Sequence, residues 1–133
     1  GYLKLDPFEV WGNGEQIRNW TYVDDIVSGT IAAAEKIHDG TSVNLGTMER
    51  IRVKDCAKQV IETLNPGASI KLLTDKPTGP LNRVASNALA KELLGWAPKT
   101  TFVEGLQKTI DWYVHSKTTE QASVDLSRKL VGR

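Results

Sequence analysis

The chain has 133 residues, of which 40% are hydrophobic and 25% are charged, and its formal net charge is +1. These values are typical of one globular domain with its own core, and the balanced charge excludes a broad positive field for nucleic acid or anionic membranes. The single cysteine excludes an internal disulfide, and no apolar run approaches the ~20 residues that span a bilayer. With no N-terminal signal visible, we expect a cytoplasmic protein.

The first predicted element is a short strand over Phe8–Trp11, followed by a turn at Asn13-Gly14, since both of these residues tolerate positive φ. The structural interpretation of these glycines is a hairpin. The polar arm that follows holds Gln16 and Arg18, and aromatic residues come directly after it. A guanidinium beside aromatic rings, on a segment bent by glycines, is an arrangement that can bind a flat base and a phosphate.

Four helices are predicted from apolar residues that recur at spacings of three and four. The first runs from Asp24 or Asp25 to about His38, and the acidic pair is interpreted as its cap rather than as catalytic. Its apolar stripe is Val27, Thr30, Ile31, Ala34 and Ile37. The other three helices run over 53–64, from a cap at Ser86 or Asn87 to Leu94, and from a cap at Thr100 or Thr101 to Val114.

Short strands are predicted between these helices. Thr41–Leu45 is β-branched and ends at Gly46, where the backbone must turn or approach a neighbour closely, and Ile70–Leu73 is the next strand. The loop over 74–82 is long enough to bind a ligand and leads to Arg83. Residues 118–133 are polar and are predicted to form a weakly structured tail. The alternation of helices and short strands indicates a small mixed α/β module.

Three motifs follow one another along the chain. They are W-G-x-G-x-x-x-R-x-W-x-Y-V-D-D from Trp11, VNLG at Val43–Gly46, and R-V-A-S-N-A-L-A-K-E-L-L-G-W-A-P from Arg83 to Pro98. In this order and spacing they resemble the C-terminal half of the NAD-dependent epimerase/dehydratase family, the extended short-chain dehydrogenases that act on nucleotide sugars. The resemblance runs from about Phe8 to Tyr113.

In that family the N-terminal half is a Rossmann domain that binds NAD or NADP and supplies a Tyr-x-x-x-Lys pair. This sequence has no such glycine fingerprint, and the spacing of Tyr113 and Lys117 is interpreted as accidental, because Tyr113 lies on an apolar stripe. The resemblance therefore implies that residues 1–117 are the nucleotide-sugar-binding part, with the Rossmann part absent. NAD or NADP would serve the full-length parent, and this chain alone would bind no cofactor and be inactive.

The resemblance also implies the binding residues. Arg18 and Arg83 match family arginines that contact the phosphates, and planar guanidinium groups can pair with pyrophosphate oxygens in bidentate fashion. The further substrate-binding candidates, which lie where family strands border the base, are Val10, Trp11 and Gln16. No catalytic or metal-binding residue is implied.

Two positions are interpreted as structural, and a third departs from the family pattern. Asp25 matches a position that braces the junction of the two halves, Cys56 is interpreted as a small buried hydrophobe, and Ser86 stands where the family commonly has Asp. Two hypotheses stay open, a nucleotide-sugar-binding part of an enzyme and a non-catalytic module that keeps the fold. The expected partners are a nucleotide sugar and the Rossmann part, with no nucleic acid and no membrane. The sugar, the base and the reaction type are not predicted, and a monomer is expected.

Overall fold

The computed structural model describes residues 1–131, with side chains described through Arg128. Over this range the chain forms five short strands and five helices, which confirms the mixed α/β class. The elements are β1 Phe8–Trp11, β2 Ile17–Arg18, α1 Val23–Lys36, β3 Ile51–Arg52, α2 Val53–Leu64, β4 Ile70–Leu73, β5 Asn82–Arg83, α3 Ala88–Leu94, α4 Phe102–Ser116 and α5 Thr119–Val131.

These elements divide between two compact units. The first unit contains Gly1–Glu15, Val53–Thr78 and the chain from Lys108 onward, and the second contains Gln16–Arg52 and Gly79–Gln107. Each unit therefore combines segments that are distant in the sequence.

In the first unit, β1 and β4 form a parallel pair in which Phe8 lies opposite Ile70. Helix α2 packs against β1 and buries Ala57 and Ile61, which are four residues apart on its apolar stripe. Since β1 pairs with β4, and β2 pairs with β3 and β5, the hairpin interpretation of the turn after β1 is wrong. The turn itself is confirmed, because Gly12 and Gly14 both have positive φ.

The first unit also contains a helix where the sequence analysis predicts a weakly structured tail. Helix α5 covers Thr119–Val131 and buries Ala122. Its first turn is capped reciprocally, since the Thr118 N–H donates to Gln121 Oε1 at 3.0 Å and the Gln121 N–H donates to Thr118 Oγ1 at 3.2 Å. Gly132 and Arg133 of the predicted tail lie outside the described residues.

The second unit has a three-stranded sheet in the order β3-β2-β5 and a core between α1 and α3. Ala90, Leu94 and Trp96 are buried at the centre of this core, as predicted for Trp96. Five partly buried residues pack around them, namely Ala32, Ala33, Ile37, Val43 and Leu45.

Helix α1 begins differently from the prediction. Its N-cap is Tyr22, without a side-chain cap bond, so neither aspartate caps it. Asp25 is buried, and its carboxylate accepts hydrogen bonds from the Lys99 and Thr100 backbone N–H groups, each at 3.0 Å. Asp25 therefore holds the segment before α4 in place, which is a structural role.

The predicted apolar stripe of α1 is also wrong as a core face. Val27, Thr30, Ile31 and Ala34 are exposed, and only Ile37 is partly buried. The helix instead packs through its smallest residues, because a Cβ added to Gly29 would lie 2.7 Å from Leu45 Cδ2 and 3.0 Å from Trp96 Cε2. Only glycine permits this close approach.

Thr41–Leu45, predicted as a buried strand, is not in a sheet. Its apolar residues Val43 and Leu45 do pack into the core, but no strand among residues 1–131 pairs with it through backbone hydrogen bonds. A strand needs a hydrogen-bonded neighbour, and this segment lacks one.

Two other helix starts follow the sequence. Thr101 and Glu104 form a reciprocal cap for α4, with Thr101 Oγ1 2.7 Å from Glu104 Oε2 and the Glu104 N–H 3.3 Å from Thr101 Oγ1. Asn87 is the N-cap residue of α3, while the Ser86 hydroxyl accepts from the Ala88 N–H at 3.3 Å. Within the described range, no helix combines the length and the apolar character needed to cross a membrane.

Candidate functional site

The two arginines singled out from the sequence lie side by side in the second unit. Strands β2 and β5 are parallel, and Arg18 is the register partner of Arg83. Register partners in a sheet project from the same face, and neighbouring strands are about 4.8 Å apart. The two guanidinium groups therefore leave the sheet from adjacent positions on one face.

Arg18 is held in position by backbone carbonyls. Its Nη1 donates to Ile17 O at 2.7 Å and to Pro80 O at 2.9 Å, and its Nη2 lies 3.8 Å from the point where a Cβ of Gly79 would stand. An arginine has donors on Nε and on both Nη atoms. Nε and Nη2 have no acceptor among the described residues, so one edge of a fixed guanidinium is left for a ligand.

Arg83 is exposed, and its side chain has neither a hydrogen bond nor an ion pair within residues 1–131. No carboxylate in that range pairs with Arg18 either. Like charges opposite each other on one sheet face destabilise the sheet. An anion with charge spread over several oxygens would relieve that repulsion and could pair with both groups.

The loop before β5 positions both arginines. The Ile17 N–H donates to Leu81 O at 2.7 Å, which continues the β2–β5 pairing into the loop. Gly79 has φ 68, a conformation that favours glycine, and it directly precedes the Pro80 carbonyl that Arg18 contacts. The loop predicted to lead to Arg83 therefore also fixes the Arg18 guanidinium.

Sequence reasoning missed a polar network beside these strands. Asn19 Nδ2 donates to Thr47 O at 3.1 Å, and Asn87 Nδ2 donates to Gly46 O at 3.0 Å. A Cβ on Gly46 would lie 2.7 Å from Asn19 Nδ2, so the close approach predicted for this glycine is confirmed. The network holds the segment that leads into β3, which is the other neighbour of Arg18 in the sheet.

The other three candidates are divided between the two units. Gln16 is buried directly before β2, in the second unit. Val10 and Trp11 lie in β1, in the first unit, where Val10 is buried and Trp11 is partly buried. Their assignment to a substrate site stays a prediction.

The remaining reactive groups have structural surroundings. Tyr113 packs edge-on against Tyr2, with ring centroids 5.6 Å apart, and Lys117 Nζ lies 3.1 Å from Asp125 Oδ2. Burial raises the pKa of the Cys56 thiol, which disfavours the nucleophilic thiolate. Among the described residues, no group of three or more His, Cys, Asp or Glu side chains could hold a metal ion.

Comparison with known proteins decides the family. The family model described as GDP-mannose 4,6 dehydratase matches residues 3–109, which include both arginines and the five strands of the described residues. The chain belongs to the NAD-dependent epimerase/dehydratase family. This epimerase/dehydratase chain is thus a member of the extended short-chain dehydrogenases, as its three motifs imply.

The alignments with individual relatives include most of this chain but only a minority of each relative's length. UDP-glucuronic acid decarboxylase 2 of Arabidopsis thaliana is 36% identical over 104 residues, which are 78% of this chain and 23% of the relative. The dTDP-glucose 4,6-dehydratase of Escherichia coli is 32% identical over 134 residues, 92% of this chain and 36% of the relative. The structure of UDP-glucose 4-epimerase with UDP-glucose from Thermotoga maritima matches with a TM-score of 0.73 and 29% identity, covering 86% of this chain and 37% of that chain.

Proposed function

We propose that this chain is the substrate-binding part of an NAD- or NADP-dependent nucleotide-sugar epimerase or dehydratase. Arg18 and Arg83 hold the diphosphate of the substrate. The observation that supports this most strongly is their register pairing across β2 and β5, with no carboxylate among the described residues to neutralise either one.

The chemistry of the pair fits a diphosphate better than a single carboxylate. Arg18 offers a fixed edge, because the Ile17 and Pro80 carbonyls hold its Nη1, while Arg83 is exposed and can adjust. A diphosphate has oxygens on two phosphorus atoms, so each guanidinium can take a bidentate pair. Two contacts from separate strands also fix the orientation of the ligand, and not only its affinity.

The glycine turn after β1 does not have the arrangement that binds a nicotinamide dinucleotide. In a dinucleotide-binding turn, the glycines join a strand to the N-terminus of a helix, whose N–H groups receive the pyrophosphate. Here the turn at Gly12 and Gly14 joins β1 to β2, so no helix N-terminus follows it. We assign NAD or NADP to a separate Rossmann part and expect this chain alone to be inactive.

Two structures of similar proteins support the substrate class. The Thermotoga maritima epimerase structure contains UDP-glucose, and a structure of UDP-glucuronic acid 4-epimerase from Bacillus cereus contains UDP-glucuronic acid and NAD. The ligand proposed for this chain is accordingly a nucleoside diphosphate sugar. The Rossmann part is its proposed partner, in a soluble setting that includes neither nucleic acid nor membrane.

Isothermal titration of the chain with UDP-glucose, GDP-mannose and dTDP-glucose tests the proposal, with free glucose as the uncharged control. We expect at least one nucleotide sugar to bind and glucose not to bind. Each charge-assisted contact is worth ~1.5–3 kcal/mol, so Arg18→Gln and Arg83→Gln should each weaken binding by roughly 10- to 100-fold.

Arg50→Gln is the matched control, because Arg50 is also exposed in the second unit and its replacement removes the same charge. It should leave the affinity unchanged. If Arg50→Gln weakened binding as much as Arg83→Gln, only net charge would matter and the proposed site would be wrong.

A further inference from the structure

The register between β2 and β5 decides whether the two arginines share one face of the sheet. Both strands are two residues long, and β5 is an edge strand whose neighbour is β2. Side chains alternate between the two faces of a strand, so a slip of one residue would move Arg83 to the face opposite Arg18. The proposed diphosphate site therefore depends on this register.

Strand β5 contributes little to that register by itself. Its residues, Asn82 and Arg83, are both polar and exposed. Register is strongly specified where one face of a strand is buried, and weakly specified in a strand that is polar on both faces. A pair of such short strands also makes few backbone hydrogen bonds, since each residue has one donor and one acceptor. Contacts outside the strand pair are therefore needed to fix the register.

On the side that precedes the arginines, the loop before β5 supplies such contacts. The Ile17 N–H donates to Leu81 O at 2.7 Å, and Arg18 Nη1 donates to Pro80 O at 2.9 Å. Both bonds join β2 to the residues directly before β5. A strand pair that is held at one end alone can still open at the other, because the ends of elements fray first.

On the side that follows the arginines, two asparagine side chains bind neighbouring carbonyls of one segment. Asn19 directly follows β2, and its Nδ2 donates to Thr47 O at 3.1 Å. Asn87 lies four residues after the end of β5, and its Nδ2 donates to Gly46 O at 3.0 Å. We call these two carboxamide groups the amide clamp. The clamp joins the chain beyond β2 to the chain beyond β5 through one short stretch of backbone.

The stretch that the clamp binds is itself held in place. Gly46 and Thr47 are buried, and the Thr47 N–H donates to Thr21 Oγ1 at 3.0 Å. Thr47 Oγ1 accepts from the Glu49 N–H at 3.2 Å. A buried carbonyl that loses its donor is costly, so both clamp bonds favour the folded arrangement. The clamp therefore ties both arginine strands to one fixed point.

We propose that Asn19 and Asn87 are positioning residues that keep the two arginines in register for the diphosphate. Their carboxamides donate to backbone carbonyls, so they act on the ligand through the arginines. A ligand that pairs with two planar guanidinium groups at once requires both in the correct place. This inference rests on the proposed function, which supplies the diphosphate ligand.

Hydrogen exchange in the unliganded chain gives the first test. The Ile17 amide reports the β2–β5 pairing, because it donates to Leu81 O. One hydrogen bond changes an equilibrium by a factor of roughly 5, so Asn87→Ala should speed exchange of this amide about 5-fold. The Ile37 amide, which donates to Ala33 O at the end of α1, should be unaffected. No change at Ile17, or an equal change at both amides, would overturn the proposal.

Isothermal titration gives the second test, with whichever of UDP-glucose, GDP-mannose and dTDP-glucose binds best. Asn87→Ala should weaken binding about 5-fold in the otherwise unchanged chain. It should have no effect on affinity in the Arg83→Gln background, where the group that it positions is already removed. The same loss of affinity in both backgrounds would place the effect outside the arginine pair and would overturn the proposal.

Asn82→Ala is the matched control for this titration. Asn82 directly precedes Arg83, but it pairs with Ile17 on the other face of the sheet. Its side chain is exposed and has no hydrogen bond within the described residues. The control should bind the nucleotide sugar as the unchanged chain does. A loss equal to that of Asn87→Ala would show that any asparagine change near β5 weakens binding, and would refute the clamp.

The arginine resonances separate positioning from a general loss of stability. In Asn87→Ala, the Arg18 Nε–Hε signal should still shift when the nucleotide sugar is added, whereas the Arg83 signal should lose most of its shift. Full shifts of both signals would contradict the positioning role. Asn19→Ala removes the other half of the clamp and should likewise weaken binding and speed Ile17 exchange, so it replaces Asn87→Ala if that variant does not fold.

Failure of this inference and failure of the proposed function give different results. If the unchanged chain binds no nucleotide sugar, the proposed function is wrong, and exchange at the Ile17 amide still tests the clamp. If Arg18→Gln and Arg83→Gln weaken binding but Asn19→Ala and Asn87→Ala do not, the substrate site is supported and the clamp is refuted.

Discussion

Replacing Arg83 by glutamine should stabilise the unliganded chain. Arg83 and Arg18 are register partners on one sheet face, and no carboxylate among residues 1–131 pairs with either. Two unit charges ~4 Å apart interact by ~1 kcal/mol in water and by more where solvent is excluded. Arg83 is exposed, so we take the water value and expect Arg83→Gln to raise the free energy of unfolding by about 1 kcal/mol.

Salt dependence identifies this term. The screening length is about 30 Å at ~0.01 M salt and about 3 Å at ~1 M. The increase in the free energy of unfolding on Arg83→Gln should therefore be present at low salt and absent at high salt. Urea unfolding, which adds no ions, measures it at both concentrations. Arg50→Gln is the control for net charge and should change stability little at either.

Arg18→Gln should behave in the opposite way. It removes the hydrogen bonds to Ile17 O and Pro80 O, at ~1 kcal/mol each, as well as the same charge repulsion, so it should destabilise the chain at every salt concentration and more strongly at high salt. If Arg83→Gln also destabilised the chain, and did so equally at low and high salt, the two guanidinium groups would not repel each other in the folded chain. The reasoning from register to charge would then be refuted.

Three further predictions follow from the same structure. Asp25→Ala leaves two backbone N–H groups without their acceptor and should lower the free energy of unfolding by about 3 kcal/mol, which calorimetry would record as a fall of roughly 10 °C in Tm. Asp24 is exposed, so the control Asp24→Ala should lower the free energy of unfolding by less than ~0.5 kcal/mol. Equal losses of stability in the two variants would contradict the role assigned to Asp25. Gly46→Ala should break the Asn19–Thr47 bond at ~1 kcal/mol, and its cost should be non-additive with Asn19→Ala in denaturant unfolding, so strict additivity would count against the contact. Burial raises the pKa of Cys56, so its protonated form stabilises the fold below the ordinary thiol pKa, and this contribution to stability is lost as pH rises through the raised pKa. A disulfide reagent at pH 8 should therefore react with Cys56 faster in urea than in the native chain. Equal reaction rates would disprove the burial of the thiol.

The sequence predicts local features well where a single segment decides them. The Asn13-Gly14 turn, the cap at Thr101 and the core position of Trp96 all depend on residue types whose preferences act within a few residues. The placement of Arg18 beside Arg83 could be expected only from the family resemblance, because 64 residues separate them and register is a property of the folded sheet.

The errors have a common physical cause in packing. Apolar periodicity predicts which face of α1 avoids water, but it does not say that Gly29 lets the helix approach Leu45 through a different face. The capping interpretation of Asp25 failed because Lys99 and Thr100, far along the chain, supply the N–H groups that it accepts. Thr41–Leu45 has the composition of a strand but no neighbouring strand within the described residues.

The central claim is that one anion contacts Arg18 and Arg83 together. Nε–Hε resonances of both arginines, followed by NMR while the nucleotide sugar that binds best is added, test it most directly. We predict that both signals shift and saturate at the same ligand concentration, giving one Kd, while the Arg50 signal stays still. Shifts at only one of the two, or two different Kd values, would contradict a shared site.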